Sequence, residues 1–121
     1  MNDAQALLAK ALAEIREIDV ATLVTHLAAA PDRYLIVDIR EPQELAAGMI
    51  PEAVHIPMAR LLPGNDDEAV DSLRAQDAEI CLYCHSGVRS AIAAYALQQA
   101  GVAPVVSLAG GIVAWHSRAQ R

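Results

Sequence analysis

The chain has 121 residues, of which 55% are hydrophobic and 20% charged, and its formal net charge at pH 7 is −6. Disordered chains contain fewer hydrophobic residues, so this composition predicts one folded domain. The negative charge and the scarcity of aromatic residues (one Trp, three Tyr and no Phe) argue against a nucleic-acid partner. Such a partner requires a basic face and, for single strands, aromatic stacking surfaces.

No membrane segment or targeting segment is expected. The longest nearly apolar stretch, residues 102–115, contains Pro104 and is shorter than the roughly 20 residues of a membrane-spanning helix. The N-terminus carries Asp3 and lacks the basic start and apolar block of a signal peptide. We therefore expect a cytoplasmic protein without membrane contact, whose two cysteines stay thiols.

Helices are predicted throughout the chain. An amphipathic helix over residues 3–17 places Leu8 and Leu12 on one face, and it packs on its own domain or on another chain. Asp19 is predicted to cap a second helix over residues 21–29, which ends before Pro31. Further helices are predicted over residues 41–47, 58–62, 68–75 and 90–100, followed by a terminal helix that carries Trp115.

Four short apolar runs are predicted as strands, over residues 34–37, 53–56, 80–83 and 105–108. Uniformly apolar runs suit strands that are buried on both faces of a parallel sheet. Because strands alternate with helices, the sequence predicts an α/β fold with a small parallel sheet flanked by helices on both faces. We divide the chain into an N-terminal helical extension, residues 1–17, and a main domain, residues 18–118.

Cys84 lies where a predicted strand ends and a short loop leads into a predicted helix. Ligands of open α/β sheets bind at the carboxyl ends of the strands. A strand-to-helix turn also directs backbone N–H groups and the positive end of the helix dipole at one spot. Gly87 permits backbone angles that a β-carbon would resist. Although a cysteine can also be a plain buried side chain, this position predicts a nucleophilic thiolate, with Arg89 stabilising it and attracting an anionic substrate.

Three motifs resemble those of a known family. Residues 84–90 resemble the active-site loop of rhodanese domains, C-x-x-G-x-R-S. Residues 37–57 resemble the family signature D-V-R…E…G-H-I-P-G-A-x-x-I-P, and residues 108–115 its closing L-x-G-G-x-x-x-W. The motifs occur in the order of the family and span most of the chain. Met49 and Glu52 stand where the family usually has His and Gly.

This resemblance implies a sulfurtransferase that needs no cofactor or metal. The Cys84 thiolate would take the outer sulfur of a sulfane donor such as thiosulfate, carry it as a persulfide, and give it to cyanide or a thiol. A sulfur-accepting protein is a further expected partner. Asp38 and Arg40 would support the site from a neighbouring strand end, where a local ion pair is the simpler interpretation. The loop that binds substrate and persulfide would consist of His85, Ser86, Gly87, Val88 and Arg89.

Two cysteine patterns offer another interpretation. Cys81 and Cys84 match the redox pattern C-x-x-C, and with His85 they match c-type haem attachment. If Cys81 lies in the strand, however, the two α-carbons are about 10 Å apart. This separation exceeds the roughly 7 Å limit for a disulfide, so the match is expected to be accidental.

Two further alternatives remain open. Cysteine-dependent phosphatases use a C-x₅-R loop, and only four residues separate Cys84 from Arg89 here. A rhodanese-like carrier or regulatory module with weak activity would have the same sequence. A metal site is not expected, because the histidines are scattered rather than clustered at ligand spacing: His26, His55 and His116.

Overall fold

The computed structural model describes residues 2–119, and a sheet of five parallel strands forms its centre. The strands lie side by side in the order β1-β5-β4-β2-β3, and every neighbouring pair is parallel. The predicted parallel sheet is confirmed, with one strand more than predicted. In chain order the strands are β1 (Arg16–Ile18), β2 (Tyr34–Asp38), β3 (Val54–His55), β4 (Glu79–Tyr83) and β5 (Val105–Leu108).

Helices connect the strands and cover both faces of the sheet, as predicted. Helices α1, α3, α4 and α5 pack on one face, and α2 and α6 pack on the other. In chain order the helices are α1 (Asp3–Glu14), α2 (Val20–Ala29), a 3-10 helix (Pro42–Ala47), α3 (Met58–Leu61), α4 (Asp67–Arg74), α5 (Val88–Gln99) and α6 (Gly111–Ala119).

Burial on both faces explains the uniformly apolar sequence of the central strands. In β4, Ile80 and Leu82 pack in the core layer beneath α5, whereas Cys81 and Tyr83 pack in the layer beneath α2 and α6. Each of these side chains is at most 2% exposed. Burying a large apolar side chain stabilises the fold by about 1.5–3 kcal/mol. This packing holds the carboxyl end of β4, and therefore Cys84, in one place.

The N-terminal helix is shorter than predicted, and the residues after it form the edge strand β1. Helix α1 ends at Glu14, and Ile15 is already extended. Within β1 the buried residue is Ile18, which pairs with Leu108 of β5. The predicted helix through residue 17 is therefore wrong at its end. The solvent-facing polar residues of an edge strand also fit a helical period, so the hydrophobic pattern did not separate the two structures.

Helix α1 packs on its own domain, against α5. Ala11 is fully buried, and Ile15 packs against the core layer beneath α5. The side chain of Gln98 in α5 donates a hydrogen bond to the carbonyl of Glu14 (3.0 Å). The sequence left open whether this helix packs on its own domain or on another chain, and in the structure it packs on its own domain. The division of the chain at residue 17 stays a prediction.

The longest helices, α1 and α5, have 12 residues each, whereas a membrane span needs about 20. Among residues 2–119, no helix is both long enough and apolar enough to cross a membrane.

Candidate active site

Cys84 directly follows β4 and opens the loop that leads into α5. Its side chain is 1% exposed and packs in the core layer beneath α5. Gly87 precedes the first residue of α5 and has a φ of +104°. A β-carbon at this position would also lie 3.2 Å from the backbone nitrogen of Gly110, so both backbone conformation and space favour glycine. Cys84 therefore lies at the strand-to-helix junction that the sequence predicts.

Two backbone N–H groups converge on the sulfur of Cys84. The N–H of Gly87 donates to Sγ at 3.2 Å, and the N–H of Ser90 donates to it at 3.4 Å. Both groups belong to the N-terminal end of α5, where the helix dipole is positive. The sulfur of Cys84 therefore faces two backbone hydrogen-bond donors at the positive end of a helix.

A buried pair of serines lies beside the same sulfur. Ser90 Oγ is 3.6 Å from Cys84 Sγ and 2.8 Å from the Oγ of Ser107 in β5. Both serines are fully buried, where an unpaired hydroxyl would cost about 1–3 kcal/mol. The pair therefore gives the sulfur a polar neighbour inside the core. The sequence motifs did not single out Ser107, although a lone serine within an apolar strand is a usable signal.

The N-terminus of α6 holds the loop from its other side. The N–H of Ile112 donates to the carbonyl of Cys84 (2.9 Å), and the N–H of Val113 donates to the carbonyl of His85 (3.1 Å). This close approach requires Gly111, because a β-carbon there would lie 2.5 Å from both carbonyl oxygens. With both carbonyls bound, the first two peptide groups of the loop have a fixed orientation. Helix α6 therefore positions the loop that carries Cys84.

Asp38 and Arg40 form a buried ion pair at the end of β2. Arg40 Nε is 3.1 Å from both carboxylate oxygens of Asp38, and Nη2 is 2.8 Å from Oδ2. Burial by itself would raise the pKa of the Asp38 carboxyl, but hydrogen bonds from Arg40 and Tyr83 hold it below its ordinary value. The guanidinium also donates to the carbonyls of Glu44 (3.1 Å) and Gly48 (2.7 Å). The pair therefore fastens the 3-10 helix to the sheet.

The side chain of Arg89 forms a second ion pair, with Glu44 of the 3-10 helix. Arg89 Nη1 is 2.7 Å from Glu44 Oε1, and Nη2 is 2.9 Å from Oε2, which is a bidentate geometry. These hydrogen bonds lower the pKa of Glu44 to about 2, and Glu44 in turn raises the pKa of Arg89. The sequence predicts Arg89 as an anion-binding group but does not show that a carboxylate 45 positions earlier matches its charge.

A cleft of about 430 Å³ opens beside the loop. Glu44 and Ala47 of the 3-10 helix line one part of it, and His85, Val113 and His116 line another. Val113 is 47% exposed, so the wall of the cleft combines apolar and polar side chains. Such a mixed wall suits a small molecule or a protruding side chain of a partner.

The predicted loop residues have different surroundings. Gly87 contacts the sulfur through its backbone N–H. His85, Ser86 and Val88 are exposed and accessible to a substrate, whereas Arg89 is bound to a carboxylate. The ion pair at the end of β2 contacts the 3-10 helix and so supports the wall of the cleft.

Cys81 lies in a different core layer from Cys84. Cys81 packs beneath α2 and α6, and Cys84 packs beneath α5. Burial, together with the charge of Glu79, raises the pKa of the Cys81 thiol to about 12. Both cysteines are free. The C-x-x-C pattern therefore arises from a buried strand residue followed by a loop residue.

Known proteins share this sequence and this fold. The chain matches the family model of the rhodanese-like domain over residues 20–118. It is 43% identical over 101 residues to a sulfurtransferase of Allochromatium vinosum. The aligned residues make up 84% of this chain and 88% of the relative. A protein of unknown function from Rhodopseudomonas palustris, described as a possible tyrosine phosphatase, has a similar structure, with a TM-score of 0.84, 27% identity and coverage of 98% and 92% of the two chains. The human single-domain sulfurtransferase is also similar, with a TM-score of 0.65, 25% identity and coverage of 84% and 95%. Because the family model spans most of the chain, including the loop that begins at Cys84, the protein belongs to the rhodanese-like domain family.

Proposed function

We propose that the protein is a sulfurtransferase and that Cys84 carries the transferred sulfur as a persulfide. The observation that carries this proposal is the pair of backbone N–H groups, from Gly87 and Ser90, that donate to the Cys84 sulfur. They would stabilise the negative charge that the sulfur carries when it acts as a nucleophile. The sulfurtransferase from Allochromatium vinosum supports the same reaction class.

The first step loads the sulfur. The Cys84 thiolate attacks the outer sulfur of thiosulfate, a new S–S bond forms as the S–S bond of the donor breaks, and sulfite leaves with the electron pair of that bond. The product is Cys84–S–S⁻, so charge and atoms balance. The N–H groups of the loop and of the first turn of α5 stabilise the negative charge at this end of the helix.

The second step unloads the sulfur. Cyanide or a thiol attacks the terminal sulfur, which yields thiocyanate or a new persulfide and restores the thiolate. The exposed His85, Ser86 and Val88 border the approach to the loop, so we infer that they shape access for the acceptor, which includes a sulfur-accepting protein. We also infer a cytoplasmic location, where a reducing environment would keep the Cys84 thiol available for sulfur transfer.

Intact-protein mass spectrometry tests the proposal. After incubation with thiosulfate the protein should gain one sulfur, about 32 Da, which cyanide or dithiothreitol removes. Cys84→Ser should lose both the adduct and thiosulfate:cyanide transfer. Cys81→Ser is the matched control, because it removes the other thiol three positions away, and it should keep both. Full activity in Cys84→Ser would contradict the proposal.

A cysteine-dependent phosphatase is the second candidate, and the similar Rhodopseudomonas palustris structure favours it. Two features oppose it: the loop from Cys84 to Arg89 is one residue shorter than C-x₅-R, and the guanidinium of Arg89 is bound to Glu44. We therefore expect negligible hydrolysis of p-nitrophenyl phosphate. Phosphatase turnover without sulfur transfer would replace the sulfurtransferase proposal.

A carrier or regulatory module with weak activity is distinguished by turnover. With thiosulfate and cyanide both in excess, an enzyme produces many equivalents of thiocyanate per Cys84. A carrier loads one sulfur and releases it only when its partner protein is supplied. The number of equivalents formed per protein separates the two.

A further inference from the structure

We propose that Glu44 determines which sulfur donors the site accepts: by matching the charge of Arg89 at the entrance, it disfavours dianionic donors such as thiosulfate relative to monoanionic ones. This inference rests on the proposed sulfur transfer at Cys84, and it names the charge class of the donor. Nothing in the motifs of the sequence assigns Glu44 this role.

The ion pair lies at the entrance rather than in the core. The side chains of Glu44 and Arg89 are 28% and 35% exposed, and Glu44 lines the cleft together with His85. Arg89 immediately precedes Ser90, whose N–H donates to the Cys84 sulfur. We infer that a donor approaches the sulfur along this cleft, and on that route it passes within the electrostatic range of the ion pair.

Glu44 is held in place by hydrogen bonds from three residues, two of which bind its carboxylate. Arg40 donates to its backbone carbonyl (3.1 Å), and its Oε1 accepts a hydrogen bond from the N–H of Glu41 (2.9 Å). Arg89 binds both carboxylate oxygens. Because its pKa is lowered to about 2, Glu44 stays ionised throughout the neutral range. It is therefore a fixed negative charge at the cleft.

The other arginine of the cleft, Arg40, does not neutralise the charge of Glu44. Arg40 also lines the cleft, but Asp38 matches its charge. The two ion pairs together contain two guanidinium groups and two carboxylates. The negative charge of Glu44 therefore offsets the attraction between Arg89 and an anionic donor. The energy of an ion in a given potential is proportional to its charge. Removing Glu44 should therefore change the affinity for a dianion by the square of the factor for a monoanion.

Steady-state kinetics of Glu44→Gln test this charge rule. Glutamine keeps the oxygen that accepts the N–H of Glu41 and removes the charge. We expect the KM for thiosulfate to fall about tenfold and the KM for benzenethiosulfonate, a monoanionic donor, to fall about threefold, with kcat little changed. Both effects should diminish as added salt screens the charges. Equal factors for the two donors, or an unchanged KM for thiosulfate in the folded variant, would overturn the inference.

Matched variants separate the specific role of Glu44 from a general charge effect. Glu41→Gln removes the same charge from an exposed side chain three residues earlier, whose charge also acts on Arg89 but more weakly than that of Glu44. It should therefore change the KM for thiosulfate less than Glu44→Gln does, by about twofold or less. In an Arg89→Gln background, Glu44→Gln should still lower the KM for thiosulfate about tenfold, because the potential of the Glu44 charge adds to that of Arg89 and does not depend on it. Loss of the effect in this background would show that Glu44 only occupies the Arg89 side chain, and it would overturn the charge rule.

A binding measurement keeps this inference separate from the proposed chemistry. In the Cys84→Ser background no sulfur can be transferred, and isothermal titration calorimetry reports thiosulfate binding alone. Adding Glu44→Gln, or Glu44→Ala if the glutamine variant does not fold, should tighten that binding about tenfold. Equal affinity would overturn the role of Glu44 whatever the activity. Tighter binding without any sulfur transfer by the wild type would instead contradict the proposed function.

Discussion

Ser90 and Ser107 place two fully buried hydroxyl groups 2.8 Å apart next to the sulfur of Cys84. Ser90 belongs to α5, whose first turn supplies the N–H donors, and Ser107 belongs to β5, the neighbour of β4. Their contact therefore joins α5, the helix whose N-terminal end faces the sulfur, to β5, the strand next to β4. This buried contact fixes the position of the first turn of α5, whose N–H groups donate to the Cys84 sulfur.

Ser107→Ala should destabilise the protein and lower the reactivity of Cys84. The substitution removes one hydrogen bond of the buried Ser90 hydroxyl, which keeps its bond to the carbonyl of Gly87 (3.3 Å), and it should cost about 0.5–1.5 kcal/mol in the free energy of unfolding. Alkylation of Cys84 by iodoacetamide at fixed pH should slow a few-fold. Ser72→Ala, at an exposed serine of α4, is the control and should change neither quantity. Wild-type values for Ser107→Ala in both assays would contradict the prediction.

Gly111→Ala should displace α6 from the loop. Its β-carbon would lie 2.5 Å from the carbonyl oxygens of Cys84 and His85, so we expect a loss of about 3 kcal/mol or more in unfolding free energy. Sulfur loading of the folded fraction should fall more than about tenfold, because positioning within about 0.5 Å is required.

Gly64→Ala is the matched control for this substitution. Gly64 also has a positive φ, +80°, but no atom lies within 4 Å of the position that a β-carbon would occupy there. It should lose only the backbone contribution, about 1 kcal/mol, and keep full sulfur loading. Denaturant unfolding and intact mass measure both quantities. Equal losses for the two variants would show that strain at φ, rather than the contact with the loop, explains the effect of Gly111→Ala.

Arg40→Ala should be strongly destabilising. It leaves the buried carboxylate of Asp38 without its ion-pair partner and removes the side-chain hydrogen bonds that hold the 3-10 helix to the sheet, which should cost about 3–5 kcal/mol in urea unfolding. Arg60→Ala breaks an ion pair of similar length with Asp66 (2.9 Å), in which the arginine side chain is 52% exposed, and should cost at most about 1 kcal/mol. A loss below about 1 kcal/mol for Arg40→Ala would contradict the role assigned to the buried pair.

The ion pair of Glu44 with Arg89 should make stability depend on acid pH. Its folded-state pKa of about 2 lies below the ordinary value of 4.5, so the unfolded chain binds the proton first as the pH falls. The stability from Glu44 is therefore fully present above about pH 4.5 and is lost as the pH falls towards about 2. The difference in unfolding free energy between wild type and Glu44→Gln should shrink over this window. A difference that stays constant between pH 6 and pH 2 would contradict this assignment.

Local sequence patterns predicted most of the secondary structure and the position of Cys84. Asp19 caps α2, as predicted, by accepting a hydrogen bond from the N–H of Thr22 (2.8 Å). The apolar runs of β2, β4 and β5 were visible because both faces of a central strand are buried. The loop after β4 was visible because Gly87 follows a buried strand and precedes a helix. These features depend on neighbours within a few residues, so the sequence alone contains them.

The contacts between distant segments were decided only by the tertiary structure. The pairing of Glu44 with Arg89 and the contact of Ser90 with Ser107 depend on the strand order β1-β5-β4-β2-β3, which the hydrophobic periods do not specify. Each contact also depends on which way a side chain points once its element is packed. The sequence by itself determined where the reactive cysteine lies along the chain. The packing of α5, α6 and the 3-10 helix decided which groups surround it, because such contacts form only when separate elements come together.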